Sequence, residues 1–375
     1  MNRHLDHSIP RICSGLFFVF AALPIVGASL LLPARTSAQA AGPGSDSPKN
    51  LPGLPIKPDG PPALPPAVTD PQAQAVLQRL QSEGAIHPAT LDQWRTTYQA
   101  LSQFAGTPEK VLHVENRNIP GPAGEIPIRI YKPSESAGLP VWVFFHGGGF
   151  VTGSLDTHDV PLRYIANRCD CLVVSVAYRL APRSSFPAAL DDGYAALKWV
   201  GDHAAEIGGD PNRLALGGDG AGGNVAAGVA LKARDQKGPH LVAQLLMYPP
   251  LDLTMLSASR ILSHDPVLTQ DAMLLATAAY LPVTTDPENP YVSPAYEKNL
   301  AGLPPLSLFT AEGDPALDED QHYVAQCKGA GLSARVLRYP IAIHGFFLMG
   351  GALDQARHAL DDVAATLKQS FAAGA

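Results

Sequence analysis

Leu216-Gly217-Gly218-Asp219-Gly220-Ala221-Gly222-Gly223-Asn224 follows a short apolar run, Leu214-Ala-Leu216, and opens a helical pattern that continues to Asp235. Small residues on both sides of a strand-to-helix turn let the backbone double back sharply and lift the residue at its apex. Gly218 and Gly222 occupy the outer positions of a G-x-S-x-G register, and Gly220 stands where that register places serine. Asp219 lies one residue off the apex, so its side chain is expected to point away from the reacting position. A glycine-rich turn before a helix can also cradle phosphate. No Lys-Ser/Thr follows here, and the spacing lacks the first-strand context of a dinucleotide fingerprint.

Upstream, the apolar run Val141-Trp-Val-Phe-Phe145 ends in His146-Gly147-Gly148-Gly149-Phe150. Three consecutive glycines let backbone N–H groups turn outward, and donors held in that way stabilise a developing oxyanion. Downstream, Asp314 comes just after the apolar run Leu306 to Thr310, and His344 just after the strand pattern Ala334 to Tyr339. In parallel sheets, site residues gather at such carboxyl ends of strands. A histidine that takes a proton needs a carboxylate to hold its tautomer, and this pair supplies both. The neighbouring Asp318, Glu319 and Asp320 are expected to be solvated.

The rest of the chain keeps the same alternation. Ile126 to Tyr131 alternates like a half-buried strand, Leu172 to Val176 is a continuous apolar run suited to a buried central strand, and Leu241 to Tyr248 continues the series of strands. Helical patterns cover 188 to 203, 224 to 235 and about 353 to 371. This rhythm predicts an α/β fold with a mostly parallel sheet covered by helices on both faces. Residues 70 to 104 read as cap helices and about 251 to 290 as a helical lid insertion, within a domain spanning 68 to 375. Residues 41 to 67, rich in Pro and Gly, read as an extended linker.

The N-terminus has Arg3 and Arg11 before an apolar stretch, Gly15 to Leu32, followed by small residues and an A-x-A site at Ala38-Gln-Ala40. That order reads as a secretory signal over residues 1 to 40, cleaved after Ala40, which places the mature chain in the periplasm or outside the cell. The stretch is at the short edge for spanning a bilayer and is interrupted by Pro24 and Gly27, which disfavours an uncleaved anchor. Stable membrane insertion after cleavage is therefore not expected. With a net charge of −7 and no basic stripe, nucleic acid is excluded as a partner class. Cys169, Cys171 and Cys327 show no metal-ligand spacing and read as buried thiols; a disulfide from Cys327 to either of the others is the alternative.

From about residue 70 to its end the chain resembles the bacterial hormone-sensitive-lipase-like esterases, which have the α/β-hydrolase fold. The likeness rests on the His146–Phe150 loop, Tyr178-Arg-Leu-Ala-Pro182, Phe186-Pro-Ala-Ala-Leu-Asp191, the 216–224 turn, Thr310-Ala-Glu-Gly-Asp314 and His344-Gly-Phe346. The resemblance implies hydrolysis of small carboxylic esters without cofactor or metal. It also implies Asp314 as triad acid, His344 as triad base, and an oxyanion hole from the N–H groups of Gly147, Gly148 and Ala221. His146, Gly149, Gly218, Asp219 and Gly222 are the supporting motif positions. With Gly220 in the serine's place, turnover is expected to be weak or absent. The alternative is a protein that binds a small apolar ligand without turning it over, as the plant gibberellin receptors do on a similar fold.

Overall fold

A computed structural model describes residues 70–341 and 343–374. The signal, the linker and Cys13 lie outside the described residues. Two helices come first, α1 (Pro71–Ser82) and α2 (Leu91–Leu101). Each is started by a side chain that accepts a backbone N–H, Asp70 from Gln72 and Thr90 from Gln93. Then follow β1 (His113–Gly121), β2 (Gly124–Lys132), β3 (Leu139–Phe145), α3 (Asp159–Cys169), β4 (Leu172–Val176), α4 (Ala188–His203), β5 (Gly209–Asp219) and α5 (Ala221–Asp235). The chain ends with β6 (Ala243–Met247), α6 (Ala258–Ile261), α7 (Gln270–Tyr280), β7 (Leu306–Ala311), α8 (Leu317–Gly329), β8 (Ala334–Tyr339) and α9 (Asp354–Ala373).

The eight strands form a sheet in the order β1-β2-β4-β3-β5-β6-β7-β8. The β1/β2 and β2/β4 pairs are antiparallel and all others parallel. β3, β4, β6 and β7 are buried along almost their whole length, as their unbroken apolar runs require. The register sets Phe145 beside Gly218, Asp219 beside Met247, and Met247 beside Phe309. The carboxyl ends of β3, β5, β6, β7 and β8 therefore open onto one rim, and each is followed by a residue of the site described below.

The turn between β5 and α5 explains its glycines. A Cβ at Gly218 would stand 2.5 Å from the Phe145 carbonyl oxygen, and one at Gly222 would stand 2.5 Å from the His146 carbonyl oxygen. The helix can start this close to β3 only because both positions lack a side chain.

Three expectations need correction. Glu319 and Asp320 are buried, not solvated. They sit in the first turn of α8, which packs against β7, β8 and α6, and of the three only Asp318 stays exposed. Cys169 and Cys171 form a disulfide with each other, and Cys327 is buried and free. Asp170 between the two is left-handed (φ 51°), so the chain turns there and β4 begins only at Leu172; the two sulfurs meet across a turn. Gly147, third, does not offer its N–H to the cavity, because that N–H is bonded to Asp219.

Candidate active site

Gly220 caps α5 at φ +49° and ψ −124°, a conformation costly for any residue with a side chain. Its N–H donates to the Met247 carbonyl at 2.9 Å. A Cβ built there would meet nothing closer than His344 Nε2 at 3.5 Å, with Tyr248 Cε2 at 4.0 Å. The apex thus keeps a sharp elbow with open space above it, facing an imidazole nitrogen.

His344 is buried, and its other ring nitrogen, Nδ1, lies 2.9 Å from Asp314 Oδ2. Asp314 Oδ1 accepts the Ala316 N–H at 2.9 Å, which fixes the carboxylate at the start of the segment leading to α8. Burial alone would lower the His344 pKa. The charge and hydrogen bond of Asp314, with Asp265 and Asp219 adding, outweigh it and hold the imidazole above its ordinary value. The backbone N–H of His344 donates to Asp265 Oδ2 at 2.6 Å, and Asp265 Oδ1 takes the N–H groups of Val267 and Leu268. Tyr248, directly after β6, sets its ring edge-on to the imidazole at 4.8 Å, and its hydroxyl accepts the Phe347 N–H.

Asp219 points back under the oxyanion loop. Its Oδ1 accepts the Gly147 N–H at 2.7 Å and lies 2.8 Å from His158 Nε2, while the Tyr98 hydroxyl reaches Oδ2 at 3.3 Å. Burial raises a carboxyl pKa, but the charge and hydrogen bond of His158 and the Gly147 N–H prevail, and Asp219 is held below its ordinary value. Gly147 is accordingly not a free donor: its N–H is committed to Asp219, and a Cβ there would collide with that carboxylate. Gly148 and Gly149 line the cavity, together with Ala221 at the first position of α5, and among the described residues their N–H groups have no protein acceptor.

The remaining motif residues brace this loop. Tyr178 donates its hydroxyl to the His146 carbonyl at 2.5 Å and stacks on the His146 ring. Ala181 N–H donates to the Phe150 carbonyl, and Phe150 stacks flat on Tyr280 of α7. From α2, Trp94 Nε1 donates to the Gly148 carbonyl and Arg95 Nε to that of Val151. Asn224 ties α5 to the lid segment through the carbonyls of Pro250 and Val292.

Above Gly220 lies a partly open cavity walled by α2, the 146–150 loop and the segment carrying α6 and α7. Its lining includes Trp94, Phe150, Leu253, Leu268 and Met273, with Arg260 among them. No group of three or more His, Cys, Asp or Glu that could hold a metal occurs among the described residues, and no described helix is long and apolar enough to cross a membrane. Tyr98, His158, Tyr248, Arg260 and Asp265 went unread in the sequence. They belong to no fixed spacing, and only the fold brings them to one place.

The alpha/beta hydrolase fold family matches residues 142–348. Carboxylesterase NlhH of Mycobacterium tuberculosis is 37% identical over 316 residues, covering 82% of this chain and 98% of that protein. The arylesterase of Saccharolobus solfataricus is 34% identical over 66% of this chain and 80% of its own length. Among solved structures, a hyperthermophilic esterase from the archaeon Pyrobaculum calidifontis superposes with a TM-score of 0.75 at 37% identity, covering 82% of this chain and 99% of that one. Sheet order, site placement and these relatives agree: the chain belongs to the hormone-sensitive-lipase-like esterases of the alpha/beta hydrolase fold family and has their carboxylesterase scaffold.

Proposed function

We propose that this chain binds short-chain carboxylic esters in the cavity above Gly220 and hydrolyses them slowly or not at all. The observation that carries this reading is His344 Nε2 facing empty space at 3.5 Å from the missing Cβ, with its acid in place and nothing to activate. Asp314 acts as the orienting acid, His344 as the base, and the N–H groups of Gly148, Gly149 and Ala221 as the oxyanion donors. Without a serine no acyl-enzyme forms at position 220. A water in the vacated space could still pass its proton to His344 while its oxygen attacks the carbonyl carbon, and the imidazolium would return that proton to the leaving alcohol. Assay of p-nitrophenyl butyrate is expected to show at most slow turnover, and a fluorophosphonate probe should leave the protein unlabelled. An ordinary esterase rate, or covalent labelling of another side chain, overturns this reading.

The same proposal places the protein in the periplasm or outside the cell, supported by the Arg3-to-Ala40 pattern. N-terminal sequencing of the exported protein should begin at Ala41. A membrane-bound product that retains residues 1 to 40 would show an anchor instead.

A further inference from the structure

The charged side chains lining the cavity are Asp219, His344 and Arg260. The first two belong to the machinery already described; Arg260, from α6, does not. It is only 4% exposed. Its Nε and Nη2 both end on one oxygen of Glu319, Oε1, at 3.1 and 2.5 Å. The other oxygen of Glu319 accepts the Asp252 N–H at 2.8 Å. Among the described residues Nη1 meets only sulfur, Met255 Sδ at 2.9 Å and Met273 Sδ at 3.7 Å.

A guanidinium carries five N–H donors and stays charged at every physiological pH, and a thioether is a weak acceptor. One edge of Arg260 is thus paired with a carboxylate, while the other ends on soft atoms at the wall of a mostly apolar cavity. As a tie between α6 and α8 alone, the ion pair has little to recommend it. A well-packed apolar pair usually holds two elements equally well, because both charges must be stripped of water to be buried. Burial also pushes the Glu319 carboxyl upward against the pull of Arg260, so the glutamate is an imperfect counter-charge.

We infer that Arg260 is a specificity residue, and that the cavity takes esters bearing a second, anionic oxygen group, a carboxylate, which displaces the thioethers from Nη1. This deepens the ester-binding reading above and rests on it. The ester group still lies over Gly220, and Arg260 touches only the far end of the ligand.

The test is equilibrium titration of the chain as it stands, which can bind an ester without being acylated. Monomethyl glutarate and O-acetyl-lactate carry a carboxylate on the acyl and the alcohol side respectively. Their fully methylated esters are the neutral controls. At least one anionic ester should bind about ten- to a hundredfold more tightly than its neutral partner, the worth of one charge-assisted hydrogen bond. That preference should vanish in an Arg260→Met, Glu319→Gln double variant, which removes both charges and keeps the volume. Arg260→Lys, which keeps charge and ion pair but loses the second edge of the fork, should reduce the preference several-fold. Equal binding of anionic and neutral esters, or a preference that survives either variant undiminished, overturns the assignment and leaves the ester-binding reading standing. Failure of the neutral esters as well to bind would remove both.

Discussion

Gly220→Ser is expected to raise hydrolysis of short acyl esters by about 10³- to 10⁶-fold, up to the loss seen when a triad serine is removed from a serine hydrolase. A Cβ at position 220 makes ordinary contacts, and one bond further a hydroxyl in one of its staggered rotamers comes within reach of His344 Nε2. The donors of Gly148, Gly149 and Ala221 need no rebuilding. The cost falls on stability, because φ +49° strains a residue with a side chain by about 1 to 3 kcal/mol. A serine lowers the activation barrier by more than that strain costs, about 4 kcal/mol at the bottom of the expected range. The variant should therefore melt lower and turn over faster. Comparing p-nitrophenyl acetate and butyrate hydrolysis with thermal melts of both proteins checks the two halves separately. A folded serine variant that stays inactive on every short ester would mean the scaffold serves ligand binding.

In that serine background, Asp314→Asn is expected to cut kcat by about 10⁴-fold with little change in KM. Aspartate accepts the Nδ1 proton of His344 and so leaves Nε2 free to take the serine proton. An asparagine amide can donate to Nδ1 and lock the opposite tautomer. Asp320, buried nearby and held well above the ordinary carboxyl range by burial and by the charge of Asp314, is no substitute. The pH profile should respond as well. His344 works only when neutral, and its folded pKa is raised, so activity of the serine variant should fall as pH drops through a value above about 6.5. Without Asp314 the largest upward pull on the imidazole is lost, and that acidic limb should move to lower pH. A loss below about tenfold, or an unmoved limb, would show that another group orients the base.

Much of the architecture was legible because its signals are local. Leu172–Val176 and Ala334–Tyr339 match the observed strands residue for residue, and Ala188–His203 the observed helix. Apolar runs and helical periodicity are written within one element. β1 was not legible, since it is an edge strand whose residues are mostly exposed. The oxyanion loop was placed by its glycines, but which N–H groups face the cavity depended on Asp219 reaching across from β5 to take the first of them. Burial of Glu319 depends likewise on a partner 59 positions away. Such pairings are properties of the folded chain, and no window of sequence contains them.

Asp265 has one further meaning. It sits between the short helix α6 and α7, in the segment that walls the cavity, yet its carboxylate grips the main chain of His344. A displacement of that segment that broke this bond would also release a main-chain anchor of the imidazole.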